Sequence, residues 1–264
     1  MHKKKQPKQQ EEAQPKPNTN DGGLVNFYEQ DECKQFAVEY HNPNYDKENM
    51  PFKHPLCQIL IGATGSGKSN ILLNIIRVMG ATFNYIRIFT QNKNEQLYEY
   101  LQSKIEPPLL EIYEGLDEMN TYLADCDKKL EDAQYLFIFD DFCIFSDKEQ
   151  KPIENLYVRG RKMAKKHGIS LIYLTQSYYD VPKIIRKQAS QLILKKINGK
   201  METNSIIRDC SSLEITKGQL QNMYNYCVKS KEDINNFMLI DKGADDKYRF
   251  RKNLTEILDP SHFV

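Results

Sequence analysis

The sequence lacks the features that direct a chain into or across a membrane. Its 264 residues contain no apolar run long enough to span a bilayer and no amino-terminal signal-peptide pattern. None of its six cysteines forms the C-x-x-C pair that is typical of zinc sites and dithiol redox centres. We therefore expect an intracellular protein whose thiols stay reduced. The cysteines are Cys33, Cys57, Cys126, Cys143, Cys210 and Cys227.

Metal-ligand spacing and base-reading motifs are also missing. The five histidines show no metal-ligand spacing, and no helix-turn-helix or zinc-finger pattern is present. Charge is balanced overall, but residues 95–141 carry 13 acidic and 3 basic side chains, whereas residues 159–200 carry 11 basic and 1 acidic. This asymmetry suggests a polyanion partner or a head-to-tail contact between copies of the chain. The alternative is that the two stretches pair within one monomer.

What the sequence does contain is a phosphate-binding loop between a strand pattern and a helix pattern. Residues 62–69 read G-A-T-G-S-G-K-S, a complete G-x-x-x-x-G-K-[ST] motif. Its glycines let successive backbone N–H groups point at phosphate oxygens, and the helix that follows adds its partial positive charge. Lys68 is expected to reach the β- and γ-phosphates, and the Ser69 hydroxyl to ligate Mg²⁺. The predicted nucleotide-binding residues are Gly62, Ala63, Thr64, Gly65, Ser66, Gly67, Lys68, Ser69 and Asn70.

Strand and helix patterns alternate through the middle of the chain. Strands are predicted at 57–62, 85–90, 135–140, 169–175 and 191–197, with an extra edge strand at 109–113. Helices are predicted at 68–79, 94–103, 116–131, 149–167, 182–189, 203–209 and 217–229. The strands are almost wholly apolar, which indicates a mostly parallel α/β sheet covered by helices on both faces. Two short runs around a Gly/Asp cluster, at 237–241 and 248–251, predict a C-terminal β-hairpin.

Two carboxylates follow the apolar strand at 135–140. Because parallel strands end at the same edge of a sheet, Asp140 and Asp141 should lie beside the phosphate loop. Asp140 would hold Mg²⁺ opposite Ser69, and Asp141 would orient the attacking water and accept its proton. Gln176 follows the next apolar strand, where it would contact the γ-phosphate or the water. A base beside the metal favours hydrolysis over transfer to a small molecule.

Phosphoryl transfer also calls for positive charge at the transition state. Arg159 and Arg161, in the segment V-R-G-R-K, are candidates for an arginine supplied in trans, and Arg186 is a third. Three lysines extend this basic stretch along the predicted helix: Lys162, Lys165 and Lys166. A DNA contact there would be salt-dependent and independent of base sequence.

These segments together resemble the genome-packaging ATPases of large DNA viruses and virophages, the poxvirus-type branch of the FtsK/HerA superfamily. The resemblance covers about residues 55–255. Its most specific part is R-G-R-K at 159–162 followed by H-G-I-S-L-I-Y-L-T-Q at 167–176. The family usually shows Arg-His where this chain has Arg161-Lys162, so the choice between Arg159 and Arg161 stays open.

The resemblance implies a fold, cofactors and partners. The fold would be a P-loop NTPase of the additional-strand (ASCE, RecA-like) type, with ATP and Mg²⁺ as cofactors. The protein would form a homo-oligomeric ring on double-stranded DNA and dock on a capsid vertex or portal protein. It would act in the virion or in the viral factory of the host cytoplasm.

Three other functions stay open at this point. A related helicase or DNA pump would share the motor but act in replication or DNA transfer. A nucleotide-switch GTPase would need an Asn-Lys-x-Asp motif, whereas residues 174–177 read L-T-Q-S. A non-enzymatic scaffold would not need the intact Lys68, Ser69, Asp140 and Asp141.

The domain organisation follows from composition. Residues 1–23 are rich in Lys, Gln, Glu and Pro and nearly free of large apolar side chains, so we expect a disordered tail. Residues 24–264 would form the ATPase domain. Within it we expect a lead-in at 24–55, a core at 56–200, and C-terminal helices with the hairpin at 201–264.

Overall fold

The structure, a computed structural model, describes residues 19–20, 24–38, 40–197, 199–211, 215–228 and 235–264. The chain divides into two compact units, residues 1–39 and residues 40–264. The predicted tail at 1–23 lies outside the described residues except for Thr19–Asn20 (β1), which pair antiparallel with Leu24–Val25 (β2). The smaller unit continues with a 3₁₀ turn at Phe27–Glu29 and a helix, α1, at Asp31–Lys34, and neither element buries a residue.

The larger unit is an α/β sheet with helices on both faces. Its strands are β3 (Cys57–Ile61), β4 (Tyr85–Thr90), β5 (Leu110–Glu114), β6 (Tyr135–Asp140), β7 (Ile169–Thr175), β8 (Gln191–Leu194), β9 (Met238–Asp241), β10 (Phe250–Lys252) and β11 (Glu256–Ile257). Its helices are α2 (Lys68–Val78), α3 (Gln96–Gln102), α4 (Gly115–Ala124), α5 (Cys126–Lys129), α6 (Lys151–Arg159), α7 (Lys183–Gln188), α8 (Lys200–Cys210) and α9 (Lys217–Val228). None of the described helices has the length and apolar character needed to cross a membrane.

The strand order explains where the two sequence motifs meet. Among the described residues the sheet runs β11-β10-β9-β8-β3-β7-β6-β4-β5. Strands β8, β3, β7, β6, β4 and β5 are parallel, and β9 to β11 continue the sheet in antiparallel pairs. Strand β7 therefore lies between the strand of the phosphate loop and the strand that ends in Asp140. The predicted additional-strand P-loop fold and the C-terminal hairpin are both confirmed.

The apolar strands are buried on both faces, as a covered parallel sheet requires. Alternate residues face opposite sides, so Phe137 and Phe139 of β6 pack in one core while Leu136 and Ile138 pack in the other. Helices α2 and α3 cover the second core, and the first is covered by helices that include α4 and α6. We call the side where the parallel strands begin the amino edge and the side where they end the carboxyl edge.

Two of the predicted helices were wrong in extent. The helix predicted at 116–131 is broken at Asp125 into α4 and α5. The helix predicted at 149–167 ends at Arg159, and the chain continues through two 3₁₀ turns, Gly160–Lys162 and Ala164–Lys166. The sequence there is rich in helix-forming residues, but the chain has to turn back at once into β7, so tertiary structure overrides propensity.

Residues 40–55 belong to the larger unit. Phe52 is fully buried in the core beside α2. Arg251 on β10 is also fully buried, and its guanidinium donates to the carbonyl oxygens of Lys47 and Glu48. This segment is thereby fastened to the C-terminal hairpin and leads directly into β3.

Candidate active site

The phosphate loop connects β3 to α2 at the carboxyl edge. Gly65 and Gly67 have left-handed backbone angles, with φ of 70° and 87°, which glycine adopts without strain. A Cβ atom on Gly62 would lie 2.6 Å from the Oγ atom of Ser66, so only glycine fits there. Lys68 is the first residue of α2, and its Nζ donates to the carbonyl oxygen of Gly62 at 3.1 Å. The ammonium group is thus held across the loop.

Asp140 is the last residue of β6 and is almost fully buried. The hydroxyl of Tyr98, on α3, donates to its Oδ2 atom at 2.6 Å. Burial raises the pKa of Asp140 to about 6; the hydrogen bond from Tyr98 opposes this shift, and the negative charges of Asp141 and Glu95 add to it. The other oxygen of Asp140, Oδ1, accepts no hydrogen bond from a described residue.

Asp141 turns the chain out of the strand. Its φ of 57° is left-handed, a conformation that aspartate tolerates better than most residues. Its N–H donates to the carbonyl oxygen of Leu174 on β7 at 3.3 Å. The Oδ1 atom of Asp141 and the Oγ atom of Ser66 are buried without a hydrogen-bond partner among the described residues. Buried polar atoms of this kind are expected to bind a ligand or water.

The donors at this edge fit Mg²⁺. The magnesium ion takes oxygen ligands, usually one or two carboxylates together with phosphate oxygens and water. The hydroxyl of Ser69, at the start of α2, and Oδ1 of Asp140 are oxygens of this kind. Because Tyr98 occupies Oδ2, the carboxylate is fixed in orientation with one oxygen left for this use.

Gln176 follows β7 directly, between the loop and the carboxylates. Its Oε1 atom accepts a hydrogen bond from the Thr64 hydroxyl at 2.8 Å. Both residues line a cleft of about 250 Å³ together with Ala63, Gly199 and Glu202. The residues that sequence reasoning assigned to ATP chemistry, other than the arginines, therefore share the carboxyl edge.

Comparison with known proteins gives the family. The sequence matches the family described as Poxvirus A32 protein over residues 43–245, more than half of the chain. The chain belongs to the poxvirus A32 family. The resemblance to the poxvirus-type packaging ATPases is thereby confirmed. No curated protein matches the chain.

Solved structures show the same fold. The crystal structure of B204, the DNA-packaging ATPase from Sulfolobus turreted icosahedral virus, matches 81% of this chain and 98% of its own, with 17% identity and a TM-score of 0.53. The genome packaging NTPase B204 from Sulfolobus turreted icosahedral virus 2, in complex with sulfate, matches 79% of this chain and 97% of its own, with 16% identity and a TM-score of 0.51. At these identities the likeness is evidence of fold.

The predicted arginines of this A32-family chain lie away from its own phosphate loop. Arg159 ends α6 and Arg161 precedes β7, so both are at the amino edge. The length of a strand, about 20 Å, separates the two edges. Arg159 pairs with Asp127 at 2.9 Å. Arg186 stacks on Tyr178 and lies 4.0 Å from an Asp209 oxygen. Any contact of Arg159 or Arg161 with ATP has to be made in another copy.

Three contacts of the site could not be found by sequence reasoning. Tyr98 belongs to a helix pattern, and a buried tyrosine hydroxyl needs a partner, but nothing local identifies Asp140 as that partner. Asn70, predicted to bind nucleotide, donates to the side chain of Asn235 at 2.9 Å. Glu202 accepts from the backbone N–H of Tyr178 and lines the cleft beside Gln176.

Proposed function

We propose that this protein is an ATP-hydrolysing motor that translocates double-stranded viral DNA into a preformed capsid. One observation carries the proposal: the phosphate loop, Asp140-Asp141 and Gln176 meet at one edge of an additional-strand sheet in a member of the poxvirus A32 family. B204, which has the same fold, is described as a DNA-packaging ATPase.

Each residue has a distinct role in hydrolysis. Lys68 neutralises charge on the β- and γ-phosphates, and the loop N–H groups hold the phosphate oxygens. Ser69 and Asp140 would hold Mg²⁺, which would supply charge neutralisation at these phosphates. Asp141 orients the attacking water and accepts its proton, and Gln176 reports the presence of the γ-phosphate to the loop through Thr64.

An oligomeric ring is part of the proposal. An arginine that stabilises the transition state is worth about 10³–10⁵ in rate, so a site without one would hydrolyse ATP more slowly by that factor. Arg159 and Arg161 lie at the opposite edge from the loop, so one of them would complete the site of a neighbouring copy. The ring would surround duplex DNA and dock on a capsid vertex or portal protein, in the virion or in the viral factory of the host cytoplasm.

The decisive experiment measures ATP hydrolysis by the full chain with and without linear duplex DNA, alongside the mass of the assembly. We expect DNA-stimulated hydrolysis by an oligomer. Asp141→Asn should retain nucleotide binding and lose about 10²–10⁴ in kcat, because a general base is removed.

A strictly monomeric enzyme that is indifferent to DNA would overturn the motor. Separation of the strands of a forked duplex would favour the helicase instead, and faster turnover of GTP than of ATP would favour the switch. Undiminished hydrolysis in Asp141→Asn would contradict the role given to that carboxylate.

A further inference from the structure

The chain from Lys162 to Lys166 concentrates exposed positive charge at the amino edge. We call its three cations, Lys162, Lys165 and Lys166, the basic turn. All three are exposed, and none forms an ion pair or a side-chain hydrogen bond within the described residues. Their neighbours differ, because Arg159 pairs with Asp127 and His167 with Asp132, each at 2.9 Å. Acidic side chains are therefore nearby, yet the basic turn stays unneutralised.

The backbone of the basic turn is strained. Ala164, Lys165 and Lys166 have φ values of 51°, 47° and 81°, three successive left-handed residues without a glycine among them. Left-handed backbone is disfavoured for side chains with a Cβ atom. Such conformations persist only where the surroundings fix them, and they concentrate at functional sites.

A buried clamp holds the residues that directly follow the basic turn. The Oγ atom of Ser170 accepts from the N–H of Leu56 at 3.1 Å and lies 2.8 Å from Nδ1 of His54. Nε2 of His54 lies 2.8 Å from the carbonyl oxygen of His167, to which it donates. Beside it, a Cβ atom on Gly168 would lie 3.0 Å from the ring of Pro55. The chain that follows the basic turn is thus anchored to the segment that precedes β3.

The exposed chemistry of the basic turn fits a nucleic acid better than a protein. Protein interfaces are depleted in lysine and centred on aromatic and apolar side chains. Here Ala164 is buried and Met163 half-buried, so the fully exposed side chains of the turn itself are its lysines. Lysine and arginine are the residues that neutralise DNA phosphates and release their counterions. Nothing in the basic turn offers a pattern that reads bases.

We propose that the basic turn binds the phosphate backbone of double-stranded DNA at the sheet edge opposite the ATP site. The inference rests on the proposed function, and it assigns the DNA duplex of the proposed motor to one surface of the chain. Anchoring of the chain beside the turn would lower the ordering cost of engaging successive phosphates. Within one copy, DNA and ATP would then be held about one strand length apart, and the sheet itself would connect them.

The test compares variants of the full chain in binding a short mixed-sequence duplex. Affinity is measured by fluorescence anisotropy between about 50 and 200 mM salt. Lys165→Gln/Lys166→Gln should weaken binding equally for all sequences and reduce the slope of log K against log salt by about 1 per lysine. Lys93→Gln/Lys104→Gln removes the same charge from exposed positions around α3 and should leave the slope unchanged.

A second pair of variants separates charge from folding. Lys165→Gly/Lys166→Gly removes the same charges but places glycine where the backbone is left-handed, so the fold is favoured. Its slope of log K against log salt should fall by the same amount as in Lys165→Gln/Lys166→Gln, while its melting temperature does not fall. Basal ATP hydrolysis should be unchanged in both pairs.

The outcomes separate this inference from the proposed function. If the wild type binds duplex and the variants keep its affinity and slope, the basic turn is not the DNA surface, although the motor stands. If the variants keep the slope but change the mass of the assembly, the basic turn contacts another copy, and the DNA assignment is overturned. If the wild type binds no duplex, the proposed function itself fails.

Discussion

Left-handed backbone occurs in both the phosphate loop and the basic turn, on different residue types. In the phosphate loop it falls on Gly65 and Gly67, whereas in the basic turn it falls on Ala164, Lys165 and Lys166. Glycine adopts this conformation freely and offers only backbone N–H groups, which is what a phosphate loop requires. A lysine in this conformation is strained, but its side chain presents a cation. The amino edge therefore keeps its positive charge at a cost in stability.

The two edges also differ in how their charges are treated. At the carboxyl edge Asp140 is buried and is held in one orientation by Tyr98. The cations of the basic turn are exposed. In the proposed motor, buried charge would serve chemistry at one fixed position, while exposed charge would serve a long polyanion that moves past it. The comparison suggests two sites that can be disabled separately.

The largest effect that tests this separation is expected from Lys68→Ala. Removing the ammonium group from the phosphate loop should lower kcat by about 10²–10³ or more, the range found when a single charge-stabilising donor is lost. Because Lys68 is a strand length from the basic turn, duplex affinity without nucleotide should be unchanged. A parallel loss of DNA binding would show that the two edges are not independent.

A smaller effect is expected from Tyr98→Phe, which removes one hydroxyl from Asp140 and keeps the aromatic packing. A hydrogen bond to a charged group contributes about 1.5–3 kcal/mol, so kcat should fall about 10- to 100-fold and the Mg²⁺ concentration for half-activity should rise. Nucleotide affinity measured with a chelator should not change. Tyr100→Phe, an exposed position on the same helix, is the control. An unchanged Mg²⁺ requirement would contradict the positioning role.

The clamp of the amino edge predicts a pH effect on stability. Burial lowers the pKa of His54 from 6.5 to about 4. As pH falls, the unfolded chain protonates His54 before the folded chain does. The contribution of neutral His54 to stability is therefore complete above pH 6.5 and is lost as pH falls towards 4, by up to roughly 3 kcal/mol. The free energy of unfolding should decline over this window in the wild type and less steeply in His54→Gln. Equal slopes would mean that His54 is not protonated on unfolding.

The smallest effect concerns the strain itself. Lys165→Gly should stabilise the protein by about 1 kcal/mol, because glycine relieves the left-handed backbone at φ 47°. Lys129→Gly is the matched control, since Lys129 lies in the helix α5 and glycine there should cost about 1 kcal/mol. Chemical denaturation measures both. A loss of stability in Lys165→Gly would indicate that the basic turn is not strained.

The sequence allowed the carboxyl edge to be predicted almost residue by residue. The phosphate loop is a local motif, and Asp140-Asp141 and Gln176 lie where two apolar strands end. Parallel strands bring their carboxyl ends together at one edge of the sheet, so these residues could be predicted to meet whatever their separation along the sequence. The contact between Tyr98 and Asp140 could not be foreseen, because it joins residues 42 positions apart on different elements.

The helix that leads to the amino edge was predicted too long for a physical reason. Residues 159–167 favour helix by composition, but the chain has to turn back into β7, where His54 and Pro55 pack against Ser170 and Gly168. Sequence alone predicted the phosphate loop and the α/β sheet, since both follow from local pattern and strand direction. Tertiary structure decided which charges are buried, which stay exposed and how far apart the two sites lie, because those depend on contacts between segments distant in the chain.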